Sequence, residues 1–112
     1  MNSLRLELRH TDTGPVLDVV GHLDFHTAPR FRELLDDLTL QPGDLLVLDL
    51  TGLDFCDSSG ITAFLVARNA AEAARAEVAL AGVPPNTARV LRIVGLDQVF
   101  RRHSFPGEKA HA

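Results

Sequence analysis

Three hydroxyl side chains follow a carboxylate in the segment Asp57-Ser58-Ser59-Gly60-Ile61-Thr62, where a strand is predicted to give way to a helix. The apolar run at 45–50 is typical of a buried strand, whereas 61–77 is rich in Ala and Leu and has no Pro or Gly. Asp and Ser at a helix start can cap its free N–H groups, and those groups and the helix dipole can also hold a phosphate. The pattern indicates a switch rather than a catalyst.

Ser58 and Ser59 have two other interpretations. A helix cap is the simpler one from local sequence alone, because Ser-rich helix starts are common and a cap contributes about 1 kcal/mol. A catalytic serine is poorly supported, since the chain has no Gly-x-Ser-x-Gly elbow. A hydrolase also needs a base and an orienting acid within reach of the serine. We therefore expect no enzymatic activity.

A metal site could be built from His22, Asp24 and His26, because an extended stretch would place all three side chains on one face. Two His and one carboxylate can form a facial metal triad. We favour a polar loop between strand and helix, since such triads usually draw their ligands from separated elements and no supporting partners are visible. No metal is expected.

Other acidic residues and glycines also bear on ligand binding. Asp49, Asp54 and Asp57 cluster in sequence, but Asp suits turns and helix caps, and these are the roles we expect. Gly52 and Gly60 are isolated, and their spacing matches neither a P-loop nor a dinucleotide-binding turn. We expect no cofactor, so any phosphate would be transferred onto the chain by another protein.

Length and charge limit the remaining functions. The chain has 112 residues, 46% of them hydrophobic, which favours a single domain, predicted at 1–104, with a flexible C-terminal tail at 105–112. The net charge is −4 and the longest basic run is the three residues at 101–103, so no direct nucleic-acid contact is predicted.

The cysteine content and the apolar runs of the chain indicate the cellular compartment in which the protein is expected. Cys56 is the sole cysteine, which excludes an intramolecular disulfide and fits a reducing compartment. A carboxylate at Asp57 should raise the pKa of this thiol, which argues against a reactive thiolate. Residues 1–10 lack the apolar core of a signal peptide, and no stretch approaches the ~20 apolar residues of a membrane span. We expect a cytoplasmic protein without membrane contact.

Hydrophobic periodicity predicts an α/β fold with a mixed sheet of about four to five strands and three or four helices. The first two strands should form a β-hairpin, because turn-forming residues separate them. The later strands alternate with helices, which implies right-handed crossovers and parallel βαβ units. Strands are predicted at 4–8, 16–21, 45–50 and 78–82, with a short edge strand at 99–100.

Three helices are predicted. Thr27 is the expected N-cap of the first, with Pro29 in its first turn and an apolar face at Phe31, Leu34, Leu35 and Leu38. The second runs from about 59 to 75. The third opens at 84–86, places Val90, Leu91 and Val94 on its apolar side and stops at Gly95.

These features resemble those of the bacterial anti-sigma factor antagonists, the small STAS-domain proteins. The stretch 21–28 is similar to the family's Gly-x-Leu-Asp-x-x-Thr-Ala pattern, 48–60 to its Asp-Ser-Ser-Gly signature, and 90–100 to its third helix and following turn. The order and spacing agree over roughly residues 1 to 103.

The resemblance implies a STAS-type fold and a partner switch. In such families the unphosphorylated antagonist binds an anti-sigma factor that is also a serine kinase, which frees the sigma factor. Phosphorylation of the serine after the motif Asp, here Ser58, releases the antagonist, and a serine phosphatase reverses the modification. The partner-binding surface is expected to comprise Asp24, Thr27, Asp57, Ser58, Ser59, Gly60 and Ile61.

Two other functions remain open from the sequence. The same helix end could dock a partner without phosphorylation, as the STAS module of a lipid-transport ABC complex or of a larger stress-signalling assembly. The metal or enzyme interpretation of His22, Asp24 and His26 is the third class. Exposed edge strands could also support a weak homodimer.

Overall fold

The computed structural model describes residues 3–12 and 14–103, which form a mixed six-stranded sheet and three helices. The strands are β1 (Leu4–Thr11), β2 (Gly14–Leu23), β3 (Leu45–Asp49), β4 (Leu53–Cys56), β5 (Glu77–Ala81) and β6 (Arg101–His103). The helices are α1 (Ala28–Asp37), α2 (Ser58–Ala73) and α3 (Pro85–Ile93). The predicted tail at 105–112 lies outside the described residues.

The sheet follows the predicted plan of a hairpin and then parallel strands. Strands β1 and β2 are antiparallel, whereas β2–β3, β3–β5 and β5–β6 pair in parallel, in the order β1-β2-β3-β5-β6. This arrangement confirms the mixed α/β fold class. Because β4 pairs with β2 in parallel, the chain segments that follow these two strands lie at the same end of the sheet.

Three details differ from the sequence prediction. No strand was predicted at residues 53–56, but they form β4 on the end of β2, which adds a sixth strand. The last strand starts at Arg101 rather than at 99, because Phe100 is buried in the core and 96–100 is occupied by turns. Val94 is not on the buried side of α3, because the helix ends at Ile93 and Gly95 turns the chain with φ +78°.

The helices cover one face of the sheet with a single apolar cluster. Phe64 of α2 lies at its centre, with ring centroids 6.1 Å from Phe31 and 6.4 Å from Phe100. Small residues are buried along the same side of α2 at Gly60, Ala63, Ala67 and Ala71, which lets the helix lie close to the strands. Helix α2, which carries the candidate site, therefore packs against the core from its first turn to its last.

Phe64→Ala should lower the free energy of unfolding by about 3–5 kcal/mol, because it removes a fully buried ring that joins α1, α2 and the segment before β6. Phe25→Ala, at a ring that is 73% exposed, is the matched control and should change stability by less than about 0.5 kcal/mol. Denaturant titration measures both. Similar losses for the two variants would contradict the described core.

Candidate functional site

Asp57 organises the start of α2. Its Oδ1 accepts hydrogen bonds from the backbone N–H groups of Ser59 at 2.8 Å and Gly60 at 3.3 Å, so it is the N-cap residue. Its Oδ2 accepts a hydrogen bond from the backbone N–H of Phe25 at 3.3 Å. One carboxylate thus caps the helix and ties it to the loop that follows β2.

That loop, residues 24–27, is held by hydrogen bonds among its own residues. Asp24 is only 4% exposed, and its Oδ1 accepts hydrogen bonds from the backbone N–H groups of His26 at 2.9 Å and Thr27 at 3.1 Å. The Thr27 hydroxyl accepts from the Asp24 N–H and donates to the His22 carbonyl. Thr27 is the N-cap residue of α1, as predicted, but its hydroxyl holds this loop instead of bonding the first helical turn.

Hydrogen bonding also sets the titration of Asp24. Burial raises the pKa of its carboxyl, but the N–H groups of Thr27 and His26 and the Thr27 hydroxyl outweigh burial, so the pKa is lowered. A carboxylate with these bonds has a structural role, because its Oδ1 accepts the N–H groups that hold the loop. A direct contact between Asp24 and a partner stays a prediction.

Ser58 is exposed and takes no part in the cap, because Asp57 performs that function. The sequence suggested that free helix N–H groups could receive a phosphate here. In the structure, the N–H groups of Ser59, Gly60 and Ile61 already donate to Asp57. A phosphate on Ser58 would therefore project into solvent beside a carboxylate rather than settle on the helix end.

The other predicted contact residues divide by exposure. Ser59 is half-buried, whereas Gly60 and Ile61 are buried. A Cβ on Gly60 would collide with the Cys56 sulfur and lie 2.9 Å from the Leu23 carbonyl oxygen. Gly60 is thus required for close packing, and Ser58 is the position that presents a side chain outward.

Two grooves adjoin the start of α2. One, of about 350 Å³, lies between α2 and α3 and is largely apolar; it is lined by Cys56, Asp57, Ser58, Ile61, Thr62, Val90, Val94 and Leu96. The other, of about 280 Å³, lies between α1 and α2 and is lined by Phe25, Ala28, Pro29, Arg32, Ser59 and Thr62. Exposed apolar residues beside grooves are typical of protein-binding surfaces.

Three residues that line these grooves, Phe25, Arg32 and Val94, were not predicted as site residues from the sequence. Phe25 is 73% exposed and Val94 is 53% exposed, although the first was treated as loop and the second as core. An aromatic residue within the polar stretch 22–26 was the one available signal for Phe25. Arg32 gave no such signal, because it becomes part of the site only when α1 packs beside α2.

The structure also tests the metal and thiol interpretations. The stretch from His22 to His26 is not extended, because it turns after Leu23, and the His22 ring lies 5.7 Å from the Phe55 ring. Within 3–12 and 14–103, no three His, Cys, Asp or Glu side chains are grouped to hold a metal ion. Burial, followed by the nearby Asp57 charge, raises the pKa of the Cys56 thiol to about 12, as its sequence context predicted.

A match to a protein family identifies the kind of domain that carries this site. The family model of the STAS domain matches residues 5–110. The chain belongs to the STAS domain family. Over the part that the structure describes, no helix has the length and apolar character needed to cross a membrane.

Individual relatives agree with this assignment. The anti-sigma-B factor antagonist of Listeria monocytogenes is 28% identical over 107 residues, which cover 95% of this chain and 94% of the relative. An anti-sigma factor antagonist from Mycobacterium paratuberculosis has a similar fold, with TM-score 0.79 and 22% identity over 93% of this chain and 88% of its own. The antagonist SpoIIAA in its unphosphorylated form has TM-score 0.71 and 22% identity over 91% and 89%.

Asp24→Asn should lower stability at neutral pH, and its deficit relative to wild type should shrink as the pH falls. The reason is that a lowered folded pKa gives stability that is present above the ordinary value of 3.8 and is lost as the pH falls through the folded pKa. Urea titrations from pH 7 to pH 3 measure this. Asp54→Asn, at an exposed residue, is the control, and a constant Asp24→Asn deficit would contradict the described loop.

Gly60→Ala should destabilise the domain by about 1–3 kcal/mol, because the added methyl group meets the Cys56 sulfur and the Leu23 carbonyl. Adding Cys56→Ala should recover part of the loss by removing the sulfur. Thermal unfolding of the single and double variants measures the coupling. A Gly60→Ala protein as stable as wild type would show that the helix start is not tightly packed.

Proposed function

We propose that this chain is a cytoplasmic anti-sigma factor antagonist without catalytic activity of its own. When unphosphorylated, it binds an anti-sigma factor that is also a serine kinase, and phosphorylation of Ser58 releases it. A serine phosphatase resets the switch, and sigma-factor-dependent transcription is the output. The observation that carries the proposal is the exposed Ser58 hydroxyl, which lies outside the helix cap and lines an apolar groove suited to a protein partner.

The names of relatives support the same class of function. The Listeria relative that aligns over almost the full length is an anti-sigma-B factor antagonist. SpoIIAA, which has a similar fold, has been determined in both unphosphorylated and phosphorylated forms. The Asp-Ser-Ser-Gly segment of this chain supplies the hydroxyl that such a switch needs.

The local geometry supports release by charge rather than by refolding. Phosphoserine adds about −1.5 to −2 charges near neutral pH. The N–H groups of Ser59, Gly60 and Ile61 already donate to Asp57, so the new charge would stay at the surface beside that carboxylate. Like charges crowded into an interface cost several kcal/mol, whereas the fold keeps its cap and its core. Modification therefore acts on the partner's docking and leaves the domain folded.

Ser58→Glu should weaken binding to the anti-sigma factor kinase of the same organism by at least about tenfold, because it places a second carboxylate beside Asp57. Ser58→Ala should bind as tightly as wild type and accept no phosphate. Titration calorimetry with the purified kinase measures affinity, and mass spectrometry after incubation with ATP measures modification.

Ser59→Ala is the matched control, since it changes the neighbouring hydroxyl and leaves Ser58 in place. It should be phosphorylated as wild type is. Equal affinity of Ser58→Glu, Ser58→Ala and wild type would contradict the switch and would point to a constitutive docking module.

A further inference from the structure

Strand β1 is one edge of the described sheet, and its outer backbone groups form a second candidate interface. The His22 N–H donates to the Ser3 carbonyl at 2.8 Å, which shows that odd-numbered positions of this segment bond to β2. Hydrogen bonding alternates along an antiparallel pair. The N–H and C=O groups of the even-numbered residues in 4–10 therefore point to the free edge.

One end of this edge is closed. The Arg30 guanidinium donates a hydrogen bond from Nη1 to the Leu4 carbonyl at 2.7 Å, so an incoming strand would meet the α1 side chain there. From Leu6 to His10, no strand among residues 3–12 and 14–103 pairs with this edge. Within it, the Leu8 side chain is 38% exposed, an apolar residue on a strand that has free hydrogen-bonding groups. Such edges are templates for pairing with another strand.

We propose that two copies of this chain pair antiparallel through β1, with Leu8 of each copy opposite Leu8 of the other. Leu6 of one copy then faces His10 of the second copy. Every new backbone hydrogen bond uses edge groups between 6 and 10, and Arg30 keeps its bond to Leu4. The interface is separate from the Ser58 surface and does not depend on the proposed function.

Charges on the opposite face select the same register. Glu7 faces Asp18 of its own sheet and has Arg5 Nε at 3.7 Å. The proposed pairing sets Glu7 opposite Arg9 of the second copy, in the closely spaced pair where side chains interact most. The Arg9 guanidinium already binds Asp18 at 3.1 and 3.2 Å and lies 3.6 Å from Asp49, so Glu7 would join these carboxylates as a further acidic neighbour. A pairing centred on Glu7 would instead oppose two Glu7 carboxylates, and Arg5 would face Arg9. A pairing centred on Leu6 would need the Leu4 groups that Arg30 covers.

The groove beside the edge gives the second copy more to contact. A depression of about 360 Å³ between β1 and α1 has Leu6 and Leu34 on its apolar side and a rim of Arg30, Glu33 and Asp37. His10 of the second copy, opposite Leu6, would reach this rim, where two carboxylates can receive it. The pairing thus covers Leu8 and adds a polar contact at each end.

Disulfide trapping of Leu8→Cys tests the register. Opposed residues in a hydrogen-bonded antiparallel pair have Cα atoms about 5.5 Å apart, within the span of a disulfide. Under mild oxidation, Leu8→Cys should form a covalent dimer. Arg5→Cys, exposed on the same strand but away from the two-fold axis, should not, and neither should wild type, whose thiol at Cys56 is half-buried with a raised pKa.

Sedimentation equilibrium provides a second readout. Wild type should show a concentration-dependent dimer that Leu8→Lys removes, because two ammonium groups would then oppose each other at an exposed position; kinase binding through Ser58 should be unchanged. Preferential cross-linking of Leu6→Cys would overturn the proposed register. A wild type that stays monomeric, together with Leu8→Cys cross-linking no faster than Arg5→Cys, would overturn the dimer.

Discussion

The two oxygens of Asp57 join the start of α2 to the loop after β2, and these two segments form the candidate site. One oxygen caps α2 and the other receives the Phe25 N–H from the loop after β2. The two segments meet because β4 pairs in parallel with the end of β2, so the C-terminal ends of both strands lie side by side. Without this carboxylate, the loop would lose the hydrogen bond from the Phe25 N–H to the helix start, and the bond from the Asp57 N–H to the Leu23 carbonyl would remain.

This arrangement separates structural groups from groups that can meet a partner. Asp24, Thr27 and Gly60 are buried and serve the loop or the helix packing. Ser58, Phe25 and Val94 are exposed around the same helix end. Because Asp57 provides the cap, a change in the Ser58 side chain removes no hydrogen bond of the helix cap. A charge added there changes the surface seen by a partner while the core around Phe64 stays as it is.

Local patterns predicted most of the fold, since alternation and helical spacing report burial directly. They failed where tertiary contacts decide the outcome. No strand was predicted at residues 53–56, yet they become β4 because they pair with the end of β2. Val94 fits a helical apolar face, but Gly95 ends that face and leaves Val94 exposed. The Asp-Ser-Ser-Gly segment was recognisable from sequence, whereas Phe25 and Arg32 join the site only through the packing of α1 beside α2.

The central claim is that Ser58 is the position at which this domain is switched. The most direct measurement is the intact mass of the protein isolated from its native cells, under several growth conditions, with peptide mapping of any modified residue. We expect a species heavier by a single phosphate, mapped to Ser58, whose fraction changes with growth condition. Protein that is unmodified under every condition, or that carries phosphate only elsewhere, would show that Ser58 is not a phosphorylation switch.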